Sequence, residues 1–381
     1  MSTRSATVST RRAAILGVAL SLVAGALLLA APADAVVPVP ADQSRRCAWP
    51  VVYPGEANYA WPDTNASYIN QAVLIGASEK VVITGTDPKA RYWSITTYNF
   101  ADREVIDRVN DVTVKRKGTG PRATWTVTVS PKDNPKDPNS LKSAAPYVTG
   151  DPLQLEKITV IMYRVYLPER GGYTGGPLPT VTLHHDDGFT KKAEKLPACK
   201  GDQIGEPPDK PDLEPATDVP EYFERAEGGR FYPSYDTSYL AAQVPFDPDR
   251  ILLVTGKAPR VPKDVRYWSL CQNINEGLLP VVDCASDKDV ALRNGRYSIA
   301  VVAPGQVPDR TQYPGVTFVE WGEPGVDGNY LPAFLIMRNI LPSKAFKQSI
   351  ANVPVGEPAT STMGPYAPII RHVTLEELAA L

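Results

Sequence analysis

The chain has 381 residues, enough for two domains of ordinary size. Hydrophobic residues make up 43% and charged residues 22%, which excludes a disordered chain, and a net charge of −2 leaves no basic excess for nucleic acid. Proline, at 38 residues, is roughly twice as frequent as usual, which argues against a helical bundle and for short strands joined by many turns.

Residues 1–35 read as an export signal. Arg4, Arg11 and Arg12 give a positive start, Ala13 to Ala31 is uncharged and apolar, and Ala33-Asp34-Ala35 is a small-x-small cleavage site. An uncleaved anchor is the alternative, because 19 apolar residues are long enough to span a bilayer. No later segment is long and apolar enough to do so. The expected mature product is secreted, to the extracellular space or the cell envelope, with no membrane span after cleavage.

Two copies of one pattern follow. Trp61-Pro-Asp-Thr-Asn-Ala-Ser-Tyr68 matches Tyr232-Pro-Ser-Tyr-Asp-Thr-Ser-Tyr239, and the register runs without a gap to Val81–Gly85 against Leu252–Gly256. Arg91-Tyr-Trp-Ser94 matches Arg266-Tyr-Trp-Ser269. Met162–Pro168 matches Ile336–Pro342, and Gly176–His184 runs parallel to Gly364–His372. Five blocks in one order, at a period too long for a solenoid, point to duplication of a whole domain. Between the copies, residues 201–220 carry five prolines and several acidic residues, the composition of a semi-rigid linker. The domains are expected at 45–200 and 221–381.

Each copy reads as strands. Val81–Thr84 and Arg91–Tyr98 are short and rich in β-branched and aromatic residues, and Thr124–Val129 alternates cleanly. Ile158–Leu167 is apolar on both faces, as in a strand covered on both sides. The second copy offers Ile251–Thr255, Tyr267–Asn273, Tyr297–Val302, Val316–Trp321 and Phe334–Ile340. Short helices are expected near Ser343–Ile350 and Thr374–Leu381. The expected fold class is all-β, with two tandem jelly-roll-like β-sandwich domains and little helix.

Cys47, Cys199, Cys271 and Cys284 are an even set in a chain with an export signal, which suggests two disulfides and leaves three pairings open. Cys271–Cys284 would close a short loop, and Cys47–Cys199 would tie the ends of the first copy together. There is no C-x-x-C, so a cysteine-based metal site is not expected.

The motifs Pro62–Tyr68, Ala90–Ser94, Tyr163–Pro168, Arg266–Cys271, Leu335–Pro342 and Met363-Gly-Pro-Tyr366 resemble those of an uncharacterised family of exported actinobacterial two-copy β proteins. The resemblance covers most of the chain and implies no reaction. More loosely, the Trp-Ser strand, Asn329-Tyr-Leu-Pro-Ala333 and the arginine-bearing strand resemble the jelly-roll domain-of-unknown-function family 1214. That family has Trp where Tyr330 stands, and the first copy lacks the Leu-Pro-Ala element. This likeness implies a fold only.

The sequence lacks a G-x-S-x-G elbow, a phosphate loop, G-x-G-x-x-G and H-E-x-x-H, so no catalytic set and no cofactor is expected. Three histidines leave few bases near neutral pH. In His184-His185-Asp186-Asp187 the ligand types suit a divalent ion, but neighbours on an extended chain point apart, which favours a polar strand end over a metal site. His372 stands opposite His184 in the alignment.

Arg164 and Arg338 occupy equivalent places on apolar strands, Arg164 sharing a face with Val160, Met162 and Tyr166. A guanidinium there needs carboxylate or carbonyl partners. It is either a structural ion pair or an anchor for an anion or sugar. Tyr92, Ser94, Thr96 and Tyr98 line one face of their strand, and Tyr267, Ser269, Cys271 and Asn273 line the matching one. Such a face suits either packing or a carbohydrate platform, with Trp93 and Trp268 turned into the core.

The candidate ligand-binding set is therefore Tyr92, Ser94, Tyr98, Arg164, His184, Tyr267, Ser269, Asn273, Arg338 and His372. The leading expectation is a non-catalytic binding protein for an envelope or extracellular ligand such as a glycan. The alternative is a secreted hydrolase or lyase using carboxylates and a histidine.

Overall fold

The computed structural model describes residues 47–53, 62–148, 154–169, 174–186, 191–200, 219–226, 232–275, 279–306, 308–325 and 327–381. The expected export signal over residues 1–35, Asp187 and residues 201–218 of the expected linker lie outside the described residues. The described residues form one compact unit. Almost half of it is strand, in several antiparallel sheets, so the class is all-β.

The first half carries β1 (Val51–Tyr53), β2 (Ala66–Leu74), β3 (Glu79–Thr86), β4 (Ala90–Asn99), β5 (Val105–Asn110), β6 (Arg116–Lys117), β7 (Thr124–Ser130), β8 (Ser140–Lys142), β9 (Ile158–Pro168), β10 (Thr180–Asp186) and β11 (Lys191–Lys195). The second carries β12 (Glu224–Arg225), β13 (Thr237–Val244), β14 (Ile251–Lys257), β15 (Tyr267–Ile274), β16 (Val281–Ser286), β17 (Leu292–Arg293), β18 (Arg296–Val302), β19 (Thr317–Glu320), β20 (Ala333–Ile340) and β21 (Ile369–Val373). Two short helices, α1 (Thr360–Met363) and α2 (Leu375–Ala379), lie near the C-terminus.

Strand order is the same in both halves. One sheet runs β1-β2-β9-β4-β5 in the first half and β12-β13-β20-β15-β16 in the second. The other runs β11-β10-β3-β7-β6 in the first half, and β21-β14-β18-β17 in the second, without a counterpart of β11. β8 adds to β7 in parallel and β19 adds to β18 in parallel. The register of β4 on β5 shifts at Thr97/Tyr98, and that of β15 on β16 shifts at Gln272/Asn273.

Each pair of sheets closes on an apolar core. In the first half Trp93 stacks on Trp125 at 4.8 Å between ring centroids, among Val81, Ile83, Val127 and Tyr163. In the second, Trp268 meets Tyr297 at 5.3 Å. Both expected core tryptophans are thus inside. The glycines that end the repeated Val81–Gly85 and Leu252–Gly256 blocks have a packing reason. A Cβ on Gly85 would lie 2.7 Å from the Trp125 ring, and one on Gly256 would overlap Tyr297.

The outer faces of β3 and β14 part company. Thr84, Thr126 and Thr180 leave the first solvated. Ile251, Leu253, Ala300 and Val302 make the second apolar, and Phe318 and Leu378 of α2 cover it. Thr374 caps α2 with a reciprocal Thr374–Glu377 capping box, matching the helix expected there. The helix expected over Ser343–Ile350 does not form. That stretch is turns, ending in a short 3₁₀ turn at Ile350–Asn352. The segment follows Pro342, and the Ile350 amide donates to the side-chain oxygen of Asn339 at 3.3 Å rather than to a carbonyl one helical turn back.

Candidate functional site

Strand alternation sends Trp93 and Ile95 inward and Tyr92, Ser94, Thr96 and Tyr98 to the other face of β4. That second face does not meet solvent. It packs against the matching face of β15 and β20, so each half caps the other. Tyr92, Tyr166, Tyr267 and Ile340 form one buried apolar cluster, with the Tyr166 and Tyr267 rings 5.2 Å apart. The premise of an open carbohydrate platform is therefore corrected. Tyr92, Tyr98, Tyr267, Ser269 and Asn273 have no exposed surface, and Ser94, Arg164 and Arg338 have almost none. Their second face is buried because the partner sheet comes from the same chain.

Two aspartates that sequence reasoning did not single out organise this seam. Asp63 sits in the turn before β2 of the first half, yet its carboxylate serves the second. Oδ2 accepts from Tyr267 Oη at 2.8 Å and Ser269 Oγ at 2.7 Å, and Arg338 Nη1 lies 3.1 Å away. Oδ1 accepts from the Asn65 amide at 2.9 Å, which fixes the turn. Asp236 reaches the opposite way. Its Oδ2 accepts from Tyr92 Oη at 2.8 Å and Asn110 Nδ2 at 2.9 Å, and its Oδ1 from Arg108 Nε at 2.9 Å. Burial, and next the neighbouring carboxylate, hold both Tyr92 and Tyr267 hydroxyls well above the usual phenol range. Both stay protonated donors at any physiological pH.

Two further ion pairs cross the seam reciprocally. Arg91 Nη1 meets Asp287 at 2.6 Å, and Arg266 meets Asp111. Burial raises the pKa of both aspartates, although the facing guanidinium lowers it.

Of the two alternatives open to it, Arg338 forms the structural ion pair. Among the described residues no carboxylate pairs with Arg164. Its Nη2 donates to the Tyr232 carbonyl at 2.6 Å and its Nη1 lies 3.5 Å from Thr96 Oγ1, with the Tyr98 and Tyr68 rings 5.4 and 5.9 Å from the guanidinium carbon. Asn273 Nδ2 donates to the Leu279 carbonyl, and Tyr98 Oη to the Pro233 carbonyl, both at 2.8 Å.

The histidines lie elsewhere. His184 and His372 belong to β10 and β21, in the sheets that do not form the seam, so no cavity gathers Tyr92, Arg164 and His184. Nor are the two histidines equivalent. His184 stands opposite Lys80, whereas His372 stands opposite Leu252, the counterpart of Val81. One residue of slip on a strand turns a side chain to the other face. His185 Nδ1 pairs with Glu79 at 2.5 Å. Burial, then the charges of Lys80 and His185, lower the His184 pKa.

Both disulfides form, Cys47–Cys199 and Cys271–Cys284. The second joins directly opposed residues of β15 and β16 beside Asp63, and the Thr64 amide lies 3.4 Å from Cys284 Sγ. Asp63, Cys271 and Cys284 cluster closely, but bonded sulfurs are not metal ligands. Beside the first disulfide, Trp49, Leu178, Pro179, Leu196 and Pro197 line a groove of about 490 Å³.

No protein-family model matches the chain, and no curated sequence matches it. Among solved structures it is similar to an uncharacterised protein from Burkholderia cenocepacia, at 14% identity over 90% of this chain and 85% of that one, with a TM-score of 0.52. A protein from Vibrio parahaemolyticus is similar at 14% identity over 84% and 92%, with a TM-score of 0.44. The first likeness is one of fold. The second is too distant to carry an argument.

Proposed function

We propose that this is an exported, non-catalytic binding protein of the cell envelope or extracellular space, for a ligand such as a glycan. One observation carries the reading. The side chains richest in chemistry, Tyr92, Asp236, Asp63, Tyr267, Ser269 and Arg338, are buried and bonded to one another across the seam. They hold the halves together and leave no open constellation among themselves for a substrate. Two disulfides fit the oxidising compartment that the N-terminal sequence implies. Among the described residues no helix is long and apolar enough to cross a membrane.

We infer further that the halves descend from duplication of one jelly-roll-type module, in the exported family that the sequence resembles. The equal strand order, the matching bulges and the reciprocal Arg91–Asp287 and Arg266–Asp111 pairs support this.

The second reading is a hydrolase. Its supporting observation is the His185–Glu79 pair, half-exposed on the rim of a sheet. A general base also needs a nucleophile within reach, and among the described residues no hydroxyl or thiol is bonded to His185. The two readings separate in one experiment. Mature protein is passed over an array of envelope polysaccharides and, in parallel, through a broad hydrolase screen. Saturable binding without turnover is expected. Turnover that His185→Ala abolishes, with no polysaccharide retained, would replace the first reading by the second.

A further inference from the structure

The two arginines at the seam differ in one respect that the fold leaves unresolved. Ser269 and Arg338 stand directly opposite each other on β15 and β20, and the Asp63 carboxylate lies between them and bonds both. Ser94 and Arg164 stand directly opposite each other on β4 and β9, in the same relation. No carboxylate bonds either of them. Asp236, the crossing carboxylate on this side, is displaced one strand over, onto Asn110 and Arg108 of β5. The gapless alignment of the turns puts Ser234 where Asp63 stands in the other copy.

The donors remain while their acceptor is gone. Arg164 is 3% exposed and pairs with no carboxylate among the described residues; its partners are a carbonyl, a hydroxyl at 3.5 Å and two ring faces. Ser94 is 1% exposed, and its Oγ has no hydrogen-bond partner. A buried hydroxyl without a partner and a buried cation without a counter-ion are each costly, and here they are cross-strand neighbours on one face. One negative charge between them would satisfy both.

We propose that Ser94 and Arg164 form a binding site for a small monovalent anion of halide size, which takes the place that the Asp63 carboxylate holds in the other half. Both donors are buried, which favours a single-atom ion over a polyatomic ligand, and the site is independent of any glycan surface. Its role is to complete the seam.

The test uses the whole mature protein, melted at constant ionic strength while gluconate is exchanged for chloride or bromide. The melting temperature is expected to rise saturably with either halide. Ser94→Ala should move half-saturation up by about tenfold, the loss of one hydrogen bond to a charged group. Ser234→Asp restores a tethered carboxylate, so it should melt higher than wild type in gluconate and lose its response to halide. Crystals grown in bromide should show an anomalous peak between Ser94 Oγ and the Arg164 guanidinium. Two results would overturn the proposal. One is a melting temperature indifferent to halide with no bromide at that position. The other is a halide response that survives unchanged in both Ser94→Ala and Ser234→Asp.

Discussion

Asp63 and Asp236 reach across the seam in opposite directions, and each accepts a hydrogen bond from the buried tyrosine of the half it enters. Beyond that the two sites differ. Asp63 holds a fully buried guanidinium and stands beside a disulfide. Asp236 holds Arg108, whose side chain is 41% exposed, and leaves Arg164 to one carbonyl, one hydroxyl and two rings. The same backbone plan therefore yields a closed, charge-balanced site on one side and a partly solvated one on the other. Pseudo-symmetry of strands does not extend to charges, because two residues of offset in a turn decide which strand a carboxylate meets.

The largest effect should come from the closed site. Asp63→Ala leaves Arg338 buried without its anion, and a loss of about 3–5 kcal/mol in urea unfolding is expected. A loss below that of Asp236→Ala would reverse the comparison. Next, replacing Cys271 and Cys284 together by serine removes a cross-link over 13 residues, worth about 3 kcal/mol in the chain-entropy model. This loss should not add simply to that of Asp63→Ala, because Thr64 and Ser269 touch both features. A double-mutant cycle measures the coupling, and strict additivity would separate the disulfide from the site.

Asp236→Ala should cost less, about 1–3 kcal/mol. Arg108 turns to water, and the loss falls on Tyr92 and Asn110, left without their acceptor. The smallest effect is in pH. Burial raises the folded pKa of Asp111 and Asp287 above the ordinary 3.8, despite Arg266 and Arg91. A raised carboxyl takes up its proton more readily when folded. Its favourable contribution is complete below the unfolded value and is lost as pH rises through the folded one. Wild type should gain stability on acidification relative to the Asp111→Asn, Asp287→Asn double variant. Parallel pH profiles of the two proteins would show that these aspartates do not titrate as their burial requires.

Much of the fold was legible because strand periodicity is local. Trp93 and Trp268 declared themselves as core by alternation, and Ile158–Leu167 declared two covered faces by lacking it. What covered the second face was not legible. Tyr92 and Tyr267 read as packing or as a platform until the opposing sheet was seen. The demand that Arg338 find a carboxylate or carbonyl partner was foreseen, but the answer lies 275 residues away in Asp63, in a turn with no periodic pattern. His372 misled for a related reason, since an alignment can slip by one residue within a strand without disturbing any match in composition.

By itself the sequence determined an all-β chain, the inward faces of its main strands, and cysteines fit for two disulfides. Those are properties of neighbours along the chain, set by side-chain alternation and turn chemistry. Only the tertiary structure decided that the tyrosine faces look at each other, that Arg338 keeps Asp63, and that Arg164 keeps no aspartate among the described residues. Such outcomes depend on which charges meet when two sheets close and water leaves, and no local pattern records that.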